Sequence, residues 1–149
     1  VPWIILFVLS WLLFALLADR RQQALVWWTG LGAVALQLLV DTCAIRSGYY
    51  RMADPVVSLY GSSLFFTFGP VLSMGTLFGM YLPRGPLARA ANVLVWAGIF
   101  CSMEHLLLGS GALVYLNWNK AMSTVIDLMV FTVLTWIAAL REDLVRVSI

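Results

Sequence analysis

The sequence predicts an all-α fold: a polytopic integral membrane protein, a bundle of five transmembrane helices forming one transmembrane domain over residues 1–149. Three observations lead there. The chain is 62% hydrophobic and only 11% charged, with a mean hydropathy of +0.94, whereas a soluble domain carries about a quarter charged residues. Its apolar residues gather in five runs, each near the roughly 20 residues that a helix rising 1.5 Å per residue needs to cross about 30 Å of hydrocarbon. The connections between runs are short, and no internal repeat, low-complexity segment or soluble domain interrupts them.

The first run, Val1 to Ala18, is stopped by DRRQQ. It lacks a basic n-region and is expected to be a retained helix, not a signal peptide. The second is Ala24 to Ile45, followed by RSGYYRMADPVVS, where Pro55 biases Asp54 away from helix. The third, Leu59 to Leu82, contains Gly69-Pro70 and ends at PRGPLARA, whose two prolines mark a turn. The fourth is Ala91 to Val114, the connection YLNWNK follows, and the fifth is Ala121 to Leu140. REDLVRVSI reads as a short amphipathic tail.

Arg20, Arg21, Arg84, Arg89, Arg141 and Arg146 fall on one side of such a bundle, and Arg46, Arg51 and Lys120 on the other. The positive-inside rule then predicts a multi-pass protein of a bacterial cytoplasmic (inner) membrane, its N-terminus outside and its C-terminus cytoplasmic. Trp3, Trp27, Trp28, Tyr49, Tyr50, Tyr60, Tyr81, Tyr115 and Trp118 sit near run ends, where an aromatic belt would lie.

Several functions are excluded by what is missing. A net charge of +2 without a basic run gives no footprint for nucleic acid. One histidine cannot supply bis-histidine haem, and no H-E-x-x-H, paired E-x-x-H, G-x-S-x-G, Walker or Rossmann pattern is present, so no cofactor is expected. Cys43 and Cys101 form no C-x-x-C or zinc spacing. Their expected depths differ by more than about 10 Å, against the roughly 7 Å that a disulfide tolerates, so both should be free thiols.

Lipid gives helices no hydrophobic reason to associate, so small residues and hydrogen bonds must hold them. GTLFG offers Gly75 and Gly79 as a small-xxx-small face, expected to pack within one subunit rather than between two. Pro70 removes a backbone donor and should kink the third helix.

Tyr50 with Asp54-Pro55, Gly69-Pro70, YLPRG from Tyr81 to Gly85, Glu104, Tyr115, the NWN of Asn117 to Asn119, and Ser123 follow one another in an order of their own. Over about the last two thirds of the chain this order resembles a family of small, uncharacterised multi-pass membrane proteins of spore-forming Firmicutes. No activity is established for that family, so the resemblance implies architecture and transfers no active site.

The candidate site residues are acids inside the runs: Asp41, Glu104 and Asp127. Charge at membrane depth is costly and usually faces the bundle interior. By run length, Asp41 lies roughly 6 Å deep, Glu104 roughly 15 Å and Asp127 roughly 10 Å, all in the outer half. The fourth and fifth helices are antiparallel neighbours, so Glu104 and Asp127 could share one proton if both turn inward. His105 stands about 100° from Glu104 around the helix and aligns with Cys101 instead. A metal held by Glu104, Asp127, His105 and Cys101 is conceivable but not expected.

The acids are then either a buried cluster bonded to Asn92, Ser102, Ser123 or Thr124, or a proton or cation site with Asp41 and Arg46 at its mouth. The leading expectation is a non-enzymatic accessory or scaffold subunit whose partners are the bilayer and another membrane protein or a second copy. The alternative is a small proton- or cation-linked transporter or channel-like protein using the carboxylates. A membrane enzyme acting on lipid or isoprenoid, with the acids as general acid and base, comes third.

Overall fold

The computed structural model describes residues 1–19 and 23–147. Arg20 and Arg21 lie outside the described residues, as do the side chains of Arg141 and Arg146, so the basic asymmetry remains a property of the sequence. The described chain is all-helical with few strands. The helices are α1 (Pro2–Leu17), α2 (Gln23–Arg46), α3 (Leu64–Met80), α4 (Pro86–Gly109) and α5 (Lys120–Val147). Four short strands are β1 (Tyr50–Met52), β2 (Ser58–Leu59), β3 (Ser62–Ser63) and β4 (Leu113–Tyr115). Three helices, α2, α4 and α5, are long and apolar enough to cross a membrane; α1 and α3 are apolar but shorter. Five helices are thus present among the described residues, three of them of full spanning length.

Two boundaries move for local reasons. The third helix begins at Leu64 instead of Leu59, because Ser58–Leu59 turns back on Ser62–Ser63 as a hairpin. Its two turn residues, Tyr60 and Gly61, both have positive φ (53° and 93°), as a two-residue type I′ turn requires. The fourth helix runs from Pro86 to Gly109 instead of Ala91 to Val114. Proline at the first helical turn loses no bond there, and the residues beyond Gly111 are taken into β4. The fifth helix absorbs the expected tail as far as Val147.

Helix α3 is the buried centre, packed against α1, α2 and α5. Its glycines meet α2 at backbone distance: a Cβ added at Gly75 would lie 2.5 Å from Ala33 Cβ, and one at Gly79 2.6 Å from Val26 Cγ1. Gly30 reciprocates from α2, where a Cβ would sit 2.9 Å from the Leu72 carbonyl oxygen. The small-residue face is therefore used inside the subunit. Pro70 is buried in a π turn over Thr67–Val71, in which Leu72 N–H reaches back to the Thr67 carbonyl. Widening the helix by one residue per turn absorbs the donor that proline lacks. From α1, Trp11 Nε1 donates to the Phe68 carbonyl at 3.1 Å.

The outer surfaces of α1, α4 and α5 carry exposed apolar side chains, among them Leu12, Leu94, Ile99, Met129 and Trp136. Trp3, expected in an aromatic belt, is instead fully buried against Phe66, and its Nε1 donates to the Ala53 carbonyl at 2.9 Å.

Candidate functional site

Helices α2 and α4 end alike. Each runs into Ser-Gly, with Gly48 at φ 72° and Gly111 at φ 73°, and the next residue bonds back to the helix: Tyr49 N–H to Ala44 and Ala112 N–H to Leu107. This glycine-capped exit turns the chain out of the helix and into an extended strand. The two strands so launched, β1 and β4, pair antiparallel in the register Tyr50↔Tyr115, Arg51↔Val114 and Met52↔Leu113. Residues directly opposite in such a pair project to the same face. Tyr50 and Tyr115 consequently point into the bundle together.

Each tyrosine meets an acid from the helix preceding its own strand. Tyr50 OH donates to Asp41 Oδ1, and Tyr115 OH donates to Glu104 Oε1. Asp41, 1% exposed, also accepts from Gln37 Nε2 at 2.7 Å. Glu104 accepts from Ser123 Oγ at 2.6 Å, which ties α4 to α5. Asp127 on α5 accepts from Cys101 Sγ at 3.2 Å. The helix ends place the three acids at nearly one level: about 8 Å in for Asp41 and Glu104 and about 10 Å for Asp127, at 1.5 Å per residue. The greater depth expected for Glu104 is corrected, because α4 ends at Gly109.

All three carboxyls line a single cavity of about 50 Å³, with Gln37, Tyr50 and Ser123 also on its wall and Trp3, Phe66, Phe100 and Trp118 around them. Among the described residues, no lysine or arginine lines it. Two of its buried polar atoms have no hydrogen-bond partner, the acceptor Asp41 Oδ2 and the donor Trp118 Nε1. Unpaired buried groups of opposite character on residues that line one cavity are what a guest able both to donate and to accept would complete, and one water needs only about 10–15 Å³. Burial pushes both tyrosine hydroxyls well above their ordinary pKa, with the neighbouring carboxyls adding to the shift. They act here as donors, not as acids.

The remaining candidates fall elsewhere. His105 is exposed on α4, its Nδ1 3.1 Å from Lys120 Nζ at the start of α5. Arg46 is exposed at the end of α2, while Asp41 turns inward to Gln37 and Tyr50; the two do not form a mouth. Of the polar residues proposed to satisfy the acids, Ser123 does so. Ser102 bonds its own helix at Gly98, Thr124 bonds the Lys120 carbonyl, and Asn92 Nδ2 has no partner. Among the described residues no three His, Cys, Asp or Glu side chains are placed to hold a metal ion, so Glu104, Asp127, His105 and Cys101 are not gathered into one. Both cysteines are free.

Gln37, Trp118 and the strand pairing of the tyrosines were not read from the sequence. The signal available was the repeated Ser-Gly after two apolar runs, each followed by residues suited to a strand, Tyr50-Arg51-Met52 and Leu113-Val114-Tyr115. Comparison with protein-family models, curated proteins and solved structures finds no match to this chain.

Proposed function

We propose that this chain is a five-helix integral membrane protein of a bacterial cytoplasmic membrane, with the strand-paired end of the bundle facing outside, and that its acidic cavity binds and releases a proton or small cation. The observation that carries the reading is the convergence of Asp41, Glu104 and Asp127 on one cavity that, among the described residues, no lysine or arginine lines, with Asp41 Oδ2 left unpartnered. Three ionised carboxyls confined together away from water would repel one another and lack hydration, so the site calls for compensating positive charge. The exposed apolar faces of α1, α4 and α5 support the membrane setting. Those same faces are what lipid contact requires of any membrane helix, so they lend the accessory-subunit reading no separate support.

The test is an infrared pH titration of the protein in lipid vesicles, with Asp41→Asn, Glu104→Gln and Asp127→Asn to assign the bands. Carboxyl bands that exchange intensity between protonated and ionised forms with pH or added monovalent cation support the reading. Bands that stay fixed from about pH 4 to 10, a range bracketing ordinary carboxyl titration, would leave the cluster structural and defeat it.

A further inference from the structure

A second cavity, of about 110 Å³, lies on the other side of Glu104, in a notch between α4 and α5. Cys101, Glu104, His105, Tyr115, Lys120 and Thr124 line it. Glu104 lines both spaces, and Cys101, on the notch wall, bonds through Sγ to Asp127 on the wall of the inner cavity. Among the cavities that reach an acid, the notch is the one with polar and charged groups at its rim, Lys120, His105 and Thr124. The buried Tyr50 and Leu113 cover the strand side. A third cavity reaches Asp127 and Gln37 from the deep side, but its other walls are apolar, Val71, Met74, Phe100, Phe131 and Leu134 among them.

Building on the proton or cation site proposed above, we propose that this notch is the entrance to it and that the species admitted is the proton. The donor count argues against a metal ion. Tyr115 and Ser123 already occupy Glu104, Tyr50 and Gln37 occupy one oxygen of Asp41, and Cys101 occupies Asp127. A hard cation wants about six oxygens, whereas a proton needs one lone pair, and Asp41 Oδ2 offers one. In the transfer, water in the notch gives a proton to the Glu104 carboxylate and the hydroxide left behind returns to bulk. Glu104 then passes a proton through water in the inner cavity to Asp41 Oδ2, which leaves Glu104 ionised and Asp41 neutral, with no electrons moved. Lys120, held at His105 Nδ1 on the notch rim, supplies positive charge on the side where Glu104 becomes negative. The titratable and charged groups that face Glu104 are Tyr115, Cys101, His105 and Lys120 from the notch, and Asp41, Tyr50 and Asp127 across the inner cavity.

The native Cys101 makes the notch testable. In a Cys43→Ser background in lipid vesicles, a membrane-impermeant cationic methanethiosulfonate should modify Cys101, with Cys101→Ala as the labelling control. A pH jump followed by infrared spectroscopy should then show the response of the buried carboxyls slowed tenfold or more. Thr124→Trp should plug the notch from its α5 wall and give the same slowing, with Thr124→Val, which removes the Cys101–Thr124 contact without filling the notch, leaving the rate unchanged; the fold of both is checked by circular dichroism and thermal unfolding. Failure of Cys101 to react, or carboxyls that follow pH as fast after both plugs as before, overturns the entrance while the proton site stands. Bands in the unmodified protein that never respond to pH overturn the site and the entrance together.

Discussion

Moving one methyl group across the α2–α3 seam tests the packing that fixes the acids in place. Gly75→Ala puts a carbon 2.5 Å from Ala33 Cβ, where contacting carbons sit about 3.5–4.0 Å apart. The helices must part by about 1 Å, and a gap of that size forfeits a quarter to a half of the dispersion attraction along the seam. Overpacking of this kind costs about 1–3 kcal/mol, offset by about 1 kcal/mol because alanine suits a helix better than glycine. The expected net loss is about 1–2 kcal/mol. Ala33→Gly alone loses a buried methyl and helix propensity, about 1–2 kcal/mol. In the double variant the new methyl takes the space the old one vacated, its next neighbours being Gly30 Cα at 3.2 Å and the Thr29 carbonyl oxygen at 3.5 Å. Its stability should therefore lie within about 1 kcal/mol of the parent, although the single losses sum to about 2–4 kcal/mol. Equilibrium unfolding in mixed micelles, followed by tryptophan fluorescence and circular dichroism, measures all four proteins. A double variant as unstable as the sum of its parts, or a neutral Gly75→Ala, would show that the seam is not packed this way.

Other outcomes follow from the site and its scaffold. The raised Tyr50 and Tyr115 hydroxyls keep their protons in the folded chain at pH values where the unfolded chain, near 10, loses them. Their stabilisation is thus complete below about pH 10 and is lost as pH climbs toward the folded values; unfolding temperatures from pH 8 to 12 should fall, and fall less steeply in Tyr50→Phe and Tyr115→Phe, with a flat parent profile counting against the buried hydroxyls. Gly111→Ala forces a side chain into φ 73°; it should cost about 1 kcal/mol or more and raise hydrogen exchange at the β1–β4 amides, whereas Gly98→Ala, with open space around its Cβ, should not. Trp11→Phe strips the Phe68 carbonyl of its donor and should lower stability by about 0.5–1.5 kcal/mol in the same micelle unfolding assay. A reporter fused after Ile149 should be active on the cytoplasmic side, and activity confined to the exterior would invert the proposed orientation.

Apolar runs and composition determined the helices of this protein because each helix satisfies its own backbone, a local condition that about 20 residues suffice to reveal. The inward turn of the acids was legible for a similar reason: a carboxyl in an apolar run has few places to go. The small-residue face at Gly75 and Gly79 was readable too, although its partners Gly30 and Ala33 were not. What only the tertiary structure decided is non-local. Tyr50 lies opposite Tyr115 because two helix exits turn the same way and meet, and no window of sequence spans both strands. That pairing brings Asp41 and Glu104 their tyrosine donors, and Trp118 lies against Tyr50, while Gln37 reaches Asp41 from one turn earlier on α2. Glu104 and His105, adjacent in the chain, both border the notch, and only Glu104 also reaches the inner cavity, the two standing about 100° apart around the helix.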